Sequence, residues 1–332
     1  MDNVTHSLTG YCLARSGLDR LCPHATALLM VSANAPDVDI LAVARGPFRY
    51  FEAHRGYSHS IFSLPLLACV VVLVVAVVFR DRLPWVRAFL VCCLGIASHL
   101  LIDWTNSYGV RLLLPFSSRW FHLDLNSLYD GFILLALLFA ALWPLFASLV
   151  SQEIGARSRA GRGLALSALS FFLLFDCGRA VLHNRALLQL QSRLFDDARP
   201  IETAALPTAF NPFRWNGVVE TDAAYVTVPV DVLGDLDVAG QRKYFKPPQS
   251  EIKAVKQDPI FRYFAYFSRF PIWSITPVTT DAGEWKRLEL TDLRFGKPGA
   301  GSFHCIALED AQARVVQSWF AFGSGNELGR SR

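Results

Sequence analysis

Residues 61–79 read IFSLPLLACVVVLVVAVVF, a run with no charged side chain. Wound as a helix at 1.5 Å per residue, it is about 28 Å long, close to the ~30 Å hydrocarbon core of a bilayer. It therefore reads as a membrane span, and the chain is interpreted outward from it. Residues 86–104 form a second span, 131–151 a third and 163–183 a fourth, the last carrying Asp176 and Arg179. Two shorter helical segments come first, at 4–16 and 24–35, each too short for an upright span. The expected fold is an α-helical integral membrane bundle of four, and up to six, membrane helices. Composition agrees: 52% of residues are hydrophobic and 18% charged, too apolar for an ordinary soluble chain of 332 residues.

Arginine placement sets an orientation. Loops 15–23, 80–87 and 151–163 carry Arg15, Arg20, Arg80, Arg82, Arg87, Arg157, Arg159 and Arg162. The longer loops on the opposite side, 36–58 and 104–128, carry only Arg45, Arg49, Arg55, Arg111 and Arg119. The arginine-rich side is expected to be cytoplasmic, with both termini outside. The net charge of +4 is spread without a basic tract, so no nucleic-acid partner is expected. The seven cysteines form no CxxC pair and sit mostly in apolar runs, which reads as small buried hydrophobes. Asp2, His6 and Arg15 interrupt the N-terminal segment, which is not expected to be a signal peptide.

After about residue 190 the pattern changes. Residues 218–232 are rich in valine and threonine and read as strand, as do 285–295, 303–308 and 314–322. Asp258-Pro259 has N-cap and first-turn chemistry, opening a helix to about residue 270. Its Phe261, Tyr263, Phe264, Tyr266, Phe267 and Phe270 form either a core or a face lying on lipid or the membrane domain. The expected organisation is a helical membrane domain at 1–190, a small α+β extramembrane domain at 191–322 and a tail at 323–332.

The chemistry gathers in three short patterns: Pro36-Asp37-Val38-Asp39, His54-Arg55-Gly56-Tyr57-Ser58-His59-Ser60, and Ser98-His99-Leu100-Leu101-Ile102-Asp103. An up-and-back hairpin returns to its starting face. His59, before the span at 61–79, therefore lies on the same side as His99 and Asp103, near the end of the next span. Asp37 and Asp39 precede that hairpin and His6 begins the first helix, so these too fall on that face. His99 and Asp103 are four residues apart on a helix and project from one side. Neutral imidazole with carboxylate suits a divalent ion, zinc first, with manganese or iron as alternatives. A mixed His/Asp set can also hold two ions. An isolated H-x-x-x-D pair is more often structural than metal-binding; the convergence of the three patterns carries the reading.

Other candidates are weaker. Asp176 and Arg179 read as a local ion pair. His122 and Asp124 are either outer-loop ligands or part of an interfacial belt with Trp120 and Phe121. His183 and His304 have no partner pattern and read as structural. Arg55 either holds a substrate phosphate or pairs with an aspartate. Ser58 and Ser60 beside His59 lack a nucleophile elbow, and no phosphate-binding glycine loop is present.

Thr5-His6-Ser7, PDVD at 36–39, HRGYSHS at 54–60, SHLLIDWTNSYG at 98–109 and LLLPFS at 112–117 together resemble the YdjM-type family, over about residues 1–180. The Asn211-Pro212-Phe213-Arg214-Trp215 stretch resembles a C-terminal extension of that family. The resemblance implies a bacterial inner-membrane protein of a group described as metal-dependent hydrolases and as LexA-binding. A more distant resemblance is to the zinc-dependent phospholipase C and P1-nuclease superfamily. Those helical enzymes use an early His, an Asp, a later His and an H-x-x-x-D pair. His6, Asp37 or Asp39, His54 or His59, and His99 with Asp103 occur here in that order, while the superfamily's later His and Glu/Asp ligands have no equivalents.

The expectation is a multi-pass, metal-dependent hydrolase of the bacterial inner membrane, acting on a lipid or other amphiphilic ester or phosphoester. His6, Asp37, Asp39, His54, His59, His99 and Asp103 are the expected ligands, Asp39 and Arg55 the expected catalytic residues. Membrane lipid and an amphiphilic small molecule are the expected partners, and the C-terminal domain is expected in the periplasm. The alternatives are a metal-stabilised scaffold that recruits a protein partner and, third, an ion-coupled transporter.

Overall fold

The computed structural model describes residues 1–153, 161–234, 236–280 and 283–323. Arg157, Arg159 and positions 324–332 of the expected tail lie outside the described residues. The first part of the chain forms α1 (Asn3–Arg15), α2 (Ala25–Ser32), a 3-10 segment at Ala35–Arg45, α3 (Pro47–Ala53), α4 (Leu64–Phe79), α5 (Trp85–Thr105), α6 (Gly131–Glu153) and α7 (Arg162–Gln191). Next come β1 (Glu202–Pro207), β2 (Arg214–Glu220), β3 (Ala224–Asp231), β4 (Arg242–Phe245), α8 (Gln249–Ile252) and α9 (Pro259–Phe267). The last elements are β5 (Pro271–Thr280), β6 (Gly283–Asp292), β7 (Phe303–Glu309) and β8 (Val315–Phe322).

The chain divides into two compact units. The helical unit holds Met1–Ile40, Ala53–Asn184 and Pro207–Phe213. The α+β unit holds Leu41–Glu52, Arg185–Leu206 and the chain from Arg214 onward. Leu41–Glu52, expected within the membrane domain, groups with the second unit, and Pro207–Phe213, expected within the extramembrane domain, groups with the first.

The uncharged run at 61–79 is helical only from Leu64, because residues 61–63 turn and Pro65 occupies the first helical turn. Proline is tolerated there because the N–H it lacks would have no intrahelical partner. Among the described residues two helices, α5 and α7, are long and apolar enough to cross a membrane. The count is four if each of two bent pairs is one span: α2 with Ala35–Arg45, bent by 46°, and Pro47–His59 with α4, bent by 92°. Gly131–Ala147 of α6 is a shorter apolar helix.

One core of the helical unit joins α1, α2, α4 and α5 through Leu28, Leu29, Val72, Val75, Cys92 and Ile96. Another joins α1, α5, α6 and α7 through Cys12, Ile102, Ile133, Leu137, Ala168 and Phe172. Close helix approach depends on two glycines. A Cβ at Gly10 would stand 2.7 Å from the Leu29 carbonyl oxygen, and one at Gly95 would stand 2.0 Å from Ser32 Oγ. Small residues at such crossings are how apolar helices pack where water supplies no driving force. The outward faces keep large apolar side chains, among them Leu66, Val77, Leu90, Leu135 and Leu173. All seven cysteines are free thiols.

The α+β unit is built from two antiparallel sheets, ordered β1-β2-β3-β4 and β5-β6-β7-β8. The strand expected at 218–232 is instead the hairpin β2–β3. Thr221 turns the chain, accepting at Oγ1 from Ala224 N and bonding the Ala224 carbonyl from both N and Oγ1. Val218 and Tyr225 pack with Ala204, Phe270, Ile272 and Leu293 in one core. Asp258 caps α9, accepting from Ile260 N at 2.8 Å. The helix stops at Phe267; Phe261, Phe264, Phe267 and Phe270 are buried and are core, Tyr263 is partly buried, and Tyr266 is exposed.

That unit also buries a charged group of its own. His304 Nδ1 lies 2.7 Å from Glu289 Oε1, and its Nε2 lies 2.7 Å from the Gly301 carbonyl oxygen. Both ring nitrogens meet acceptors, which suits the doubly protonated ring. Glu289 also accepts from Arg287 and from Gly299 N. Burial raises the Glu289 pKa, but the hydrogen bonds outweigh it and bring it down to about 2. Burial lowers the His304 pKa, and Glu289 outweighs it, holding the imidazolium above its usual range. Glu289 therefore contributes stability above about pH 4.5 that is lost as pH falls toward 2. His304 contributes stability below about pH 6.5 that is lost as pH rises through its raised pKa. Thermal unfolding of the detergent-solubilised chain across pH should show the contribution at full strength between those limits. Glu289→Ala should cost about 3 kcal/mol there; an unchanged melting profile would refute the linkage.

Candidate metal centre

The helical unit brings four short segments to one point. Asp2 caps α1, accepting from Thr5 N and Thr5 Oγ1, which places His6 one turn inside the helix, fully buried. The 3-10 segment after α2 carries Asp37 and Asp39. The chain after α3 turns at Arg55, whose φ of 52° lies in the left-handed region that non-glycine residues seldom occupy. That turn is held by Arg55 N donating to Asp39 Oδ2 at 2.9 Å and by Arg111 N donating to the Arg55 carbonyl at 3.2 Å. His59 follows in a short 3-10 turn, Tyr57–His59. His99 and Asp103 stand one turn apart on α5, both buried.

At the centre, His59 Nε2 lies 3.2 Å from His99 Nε2. Asp37 Oδ1 is 3.4 Å from His59 Nε2 and 3.7 Å from His99 Nε2. Asp103 Oδ2 is 3.5 Å from each of the same two nitrogens. A tetrahedral shell with bonds of about 2.0–2.2 Å has ligand-to-ligand edges of about 3.3–3.6 Å, so these separations suit His and carboxylate oxygen around a small divalent cation.

The outer nitrogens fix the tautomers. His99 Nδ1 faces the Ala33 carbonyl at 2.7 Å, and a carbonyl can only accept, so Nδ1 carries the proton. His59 Nδ1 faces Asp39 Oδ2 at 3.3 Å and Ser58 Oγ at 3.0 Å, which again assigns the proton to Nδ1. In the neutral rings both Nε2 atoms are then acceptors, facing each other and two carboxylates. A bound cation, or a second proton on one ring, is what reconciles four acceptors at this spacing. The pattern, one ring nitrogen held by a carbonyl or carboxylate and the other free, is that of metal-binding histidines.

His6 supplies a second indication. Its side chain is fully buried, its ring stacks on His99 with centroids 3.8 Å apart, and neither ring nitrogen has a hydrogen bond. Leaving a buried polar group unpaired costs about 1–3 kcal/mol. His6 Nε2 sits 3.4 Å from Asp103 Oδ1. Among the described residues three overlapping groups could hold a metal ion: His6, His99 and Asp103; Asp37, His59 and His99; and Asp37, Asp39 and His54. Asp37 and His99 each belong to two of these groups. The residues fit a divalent metal.

Asp103 is anchored on its other side. Its Oδ1 accepts from Arg55 Nη2 at 3.0 Å and pairs with the amino group of Met1. Arg55 is buried, and Nη1 donates to Asn106 Oδ1 at 2.8 Å and to the Gly109 carbonyl at 3.1 Å, with Tyr108 beneath the guanidinium at 4.7 Å. Asp39 Oδ1 lies 3.2 Å from His54 Nδ1. Exposure is graded: the side chains of His6, His59 and His99 are at 0%, those of Asp37 and His54 at 17% and 19%. The centre is reached from the Asp37–His54 side.

All seven expected ligands fall in these groups. Asp124 and His122 instead pair with each other at 3.3 Å. Asp176 bonds Asn126, and Arg179 reaches the Leu125 carbonyl and Asp130. Asn106 escaped the sequence reading. Its signal was available: a polar residue three positions beyond Asp103, on the same side of a helix about to end. Met1 and the Ala33 carbonyl gave no such signal.

A family model described as YdjM inner membrane protein matches residues 1–184, more than half of the chain, and the chain belongs to that family. It is also similar to the uncharacterized protein YfhP of Bacillus subtilis (strain 168), 24% identical over 319 residues, covering 92% of this chain and 90% of that protein. No solved structure matches.

Chain purified in detergent without chelator should carry at least one equivalent of divalent transition metal by mass spectrometry. The double variant His99→Ala/Asp103→Ala should carry none. Ser58→Ala, which removes a partner of His59 Nδ1, should weaken affinity about 10–100-fold. Wild-type protein that stays metal-free after adding zinc or manganese would refute the centre.

Proposed function

We propose that this member of the YdjM inner membrane protein family is a multi-pass, metal-dependent hydrolase that cleaves an ester or phosphoester bond of a lipid or similar amphiphile. The observation that supports the substrate class is a groove beside the centre. It has a volume of about 550 Å³ and is lined by Met30 and Val31 of α2 and by Leu67, Val70, Val71 and Val74 of α4. Its polar lining is confined to Asn3, Asn34 and Asp37. That size is in the range of small-molecule sites. An apolar chain suits the valine wall, and its polar end then meets Asp37, the most accessible carboxylate of the buried group.

A divalent ion held by His59, His99, Asp37 and Asp103 would supply Lewis acidity and would lower the pKa of water. The protein does the rest. His59 and His99 offer Nε2 in fixed orientation, because Asp39, Ser58 and the Ala33 carbonyl hold their Nδ1 atoms. Asp39, paired with His54 on the accessible side, is the group placed to take a proton from water. Arg55 holds Asp103 so that Oδ2 turns to the histidine pair. The low exposure of the histidines keeps bulk water from the centre. Zinc is the first choice for this donor set, manganese or iron the next. The arginine asymmetry supports an inner-membrane location with the centre and the α+β unit on the periplasmic side.

A second reading, a metal-stabilised scaffold recruiting a protein partner, is favoured by one observation: Asp103 Oδ1 is already paired with the buried Arg55 guanidinium. Activity separates the two. Mixed micelles of lipid esters and phosphoesters, incubated with metal-loaded protein, should release product at a rate that falls at least 100-fold in His99→Ala/Asp103→Ala. Val74→Trp, which fills the groove, should lower turnover of long-chain substrates with metal content unchanged. Stoichiometric metal with no hydrolysis of any such substrate would leave the scaffold.

A further inference from the structure

The chain leaves the helical unit after Ile40 and returns at Ala53; between these points Leu41–Glu52 is packed as part of the α+β unit. The excursion separates metal-centre residues. Asp37 and Asp39 precede it, and His54, Arg55 and His59 follow it. Its anchor is Phe51, 2% exposed although it sits in a short helix far in sequence from the sheets. The Phe51 ring stacks on Phe320 and Phe264, with centroids at 4.5 and 5.6 Å, and meets Phe267 and Tyr263 edge-on at 4.9 and 5.5 Å. Tyr263 Oη donates to the Glu52 carbonyl at 3.0 Å. Tyr50 and Phe48 add looser contacts to Phe322 and Tyr263.

At the base of the excursion the chain is cinched. Asp39 accepts from Arg55 N and faces His54 Nδ1. Phe51 and Ala53 lie in the same helix, α3, and His54 is the next residue. The strained φ of Arg55 comes one residue later and is held only while its surroundings over-determine it.

Resting on the metal-centre reading above, we propose that Phe51 is a positioning residue, through which the α+β unit sets the Asp39–His54–Arg55 arm of the centre. The α+β unit is then more than an appendage: its aromatic box holds Phe51 in a loop whose two ends carry metal-centre residues. Anything that displaces Phe51 from the box slackens that arm. Metal affinity is the property that reports it.

The test uses the full chain in detergent. Phe51→Ala should weaken metal affinity, measured by competition with a chromophoric chelator, about 10–100-fold, the range seen when groups that orient ligands are removed. Phe51→Leu, which refills most of the box, should recover most of the loss. Val226→Ala, a core truncation on β3 of the same unit, should lower thermal stability and leave metal affinity unchanged. Wild-type affinity in Phe51→Ala, or an equal loss in Val226→Ala, would overturn the proposal. Hydrogen–deuterium exchange reads the same coupling without metal. Phe51→Ala should speed exchange at residues 53–60 at least 10-fold, and unchanged exchange there would overturn it as well. Failure of the centre itself shows separately, as absence of metal from wild-type protein.

Discussion

The arrangement of the helical unit turns on two imidazole nitrogens held 3.2 Å apart inside an apolar bundle, with two carboxylates beside them. Each ring is locked from behind, by the Ala33 carbonyl and by Asp39 with Ser58, so neither can turn away. Acceptors crowded in a low-dielectric interior are stable only when positive charge or protons sit among them. Arg55 and the Met1 amino group answer for Asp103 Oδ1. They do not answer for Oδ2, Asp37 Oδ1 and the two Nε2 atoms, where the donor set of a divalent cation is assembled.

Holding four segments at one point requires helices whose backbones nearly touch. Gly10 and Gly95 let α1 and α5 close on α2, where any side chain would strike the Leu29 carbonyl or Ser32. Gly95 is one turn before His99, so the crossing and the ligand share one stretch of helix. Packing here fixes chemistry: the α2–α5 approach is what brings His99 Nδ1 to Ala33, at the C-terminal end of α2. The same helices present an apolar exterior, and the groove between α2 and α4 continues that exterior up to Asp37.

The α+β unit contains a segment of the chain from the midst of the metal-ligand sequence. Burying Phe51 among Phe264, Phe267 and Phe320 satisfies an aromatic box that α9 and β8 could not fill alone. Twelve residues of chain, Leu41–Glu52, thus belong to the α+β unit although the sequence on either side of them belongs to the helical unit. It also accounts for an aromatic-rich helix in a small domain: the face that sequence alone left open between core and membrane is core, built partly from α3.

Much was readable from local pattern. Residues 86–104 and 163–183 lie in helices apolar over a bilayer's thickness, 61–79 is uncharged but helical only from Leu64, and His99 with Asp103 share a helix side by spacing alone. Hairpin logic put His59 on one face with His99 and Asp103, chain order added His6, Asp37 and Asp39, and Asp258-Pro259 announced the start of α9. These are consequences of periodicity and capping, which act within a few residues. The remainder depended on contacts between distant segments. Arg55 stood open between a substrate phosphate and an aspartate until the fold placed Asp103 and Asn106 against it. The run at 218–232 read as one strand because valine and threonine favour extension throughout, while the Thr221 turn is visible only once β2 and β3 pair. Nothing local marked Phe51 as an anchor or 41–52 as part of the other unit. Sequence determined which residues are apolar, extended or of a type that can ligate a metal. Tertiary structure decided which of them meet, because burial, hydrogen-bond partner and shared ligand sites are properties of pairs far apart in the chain.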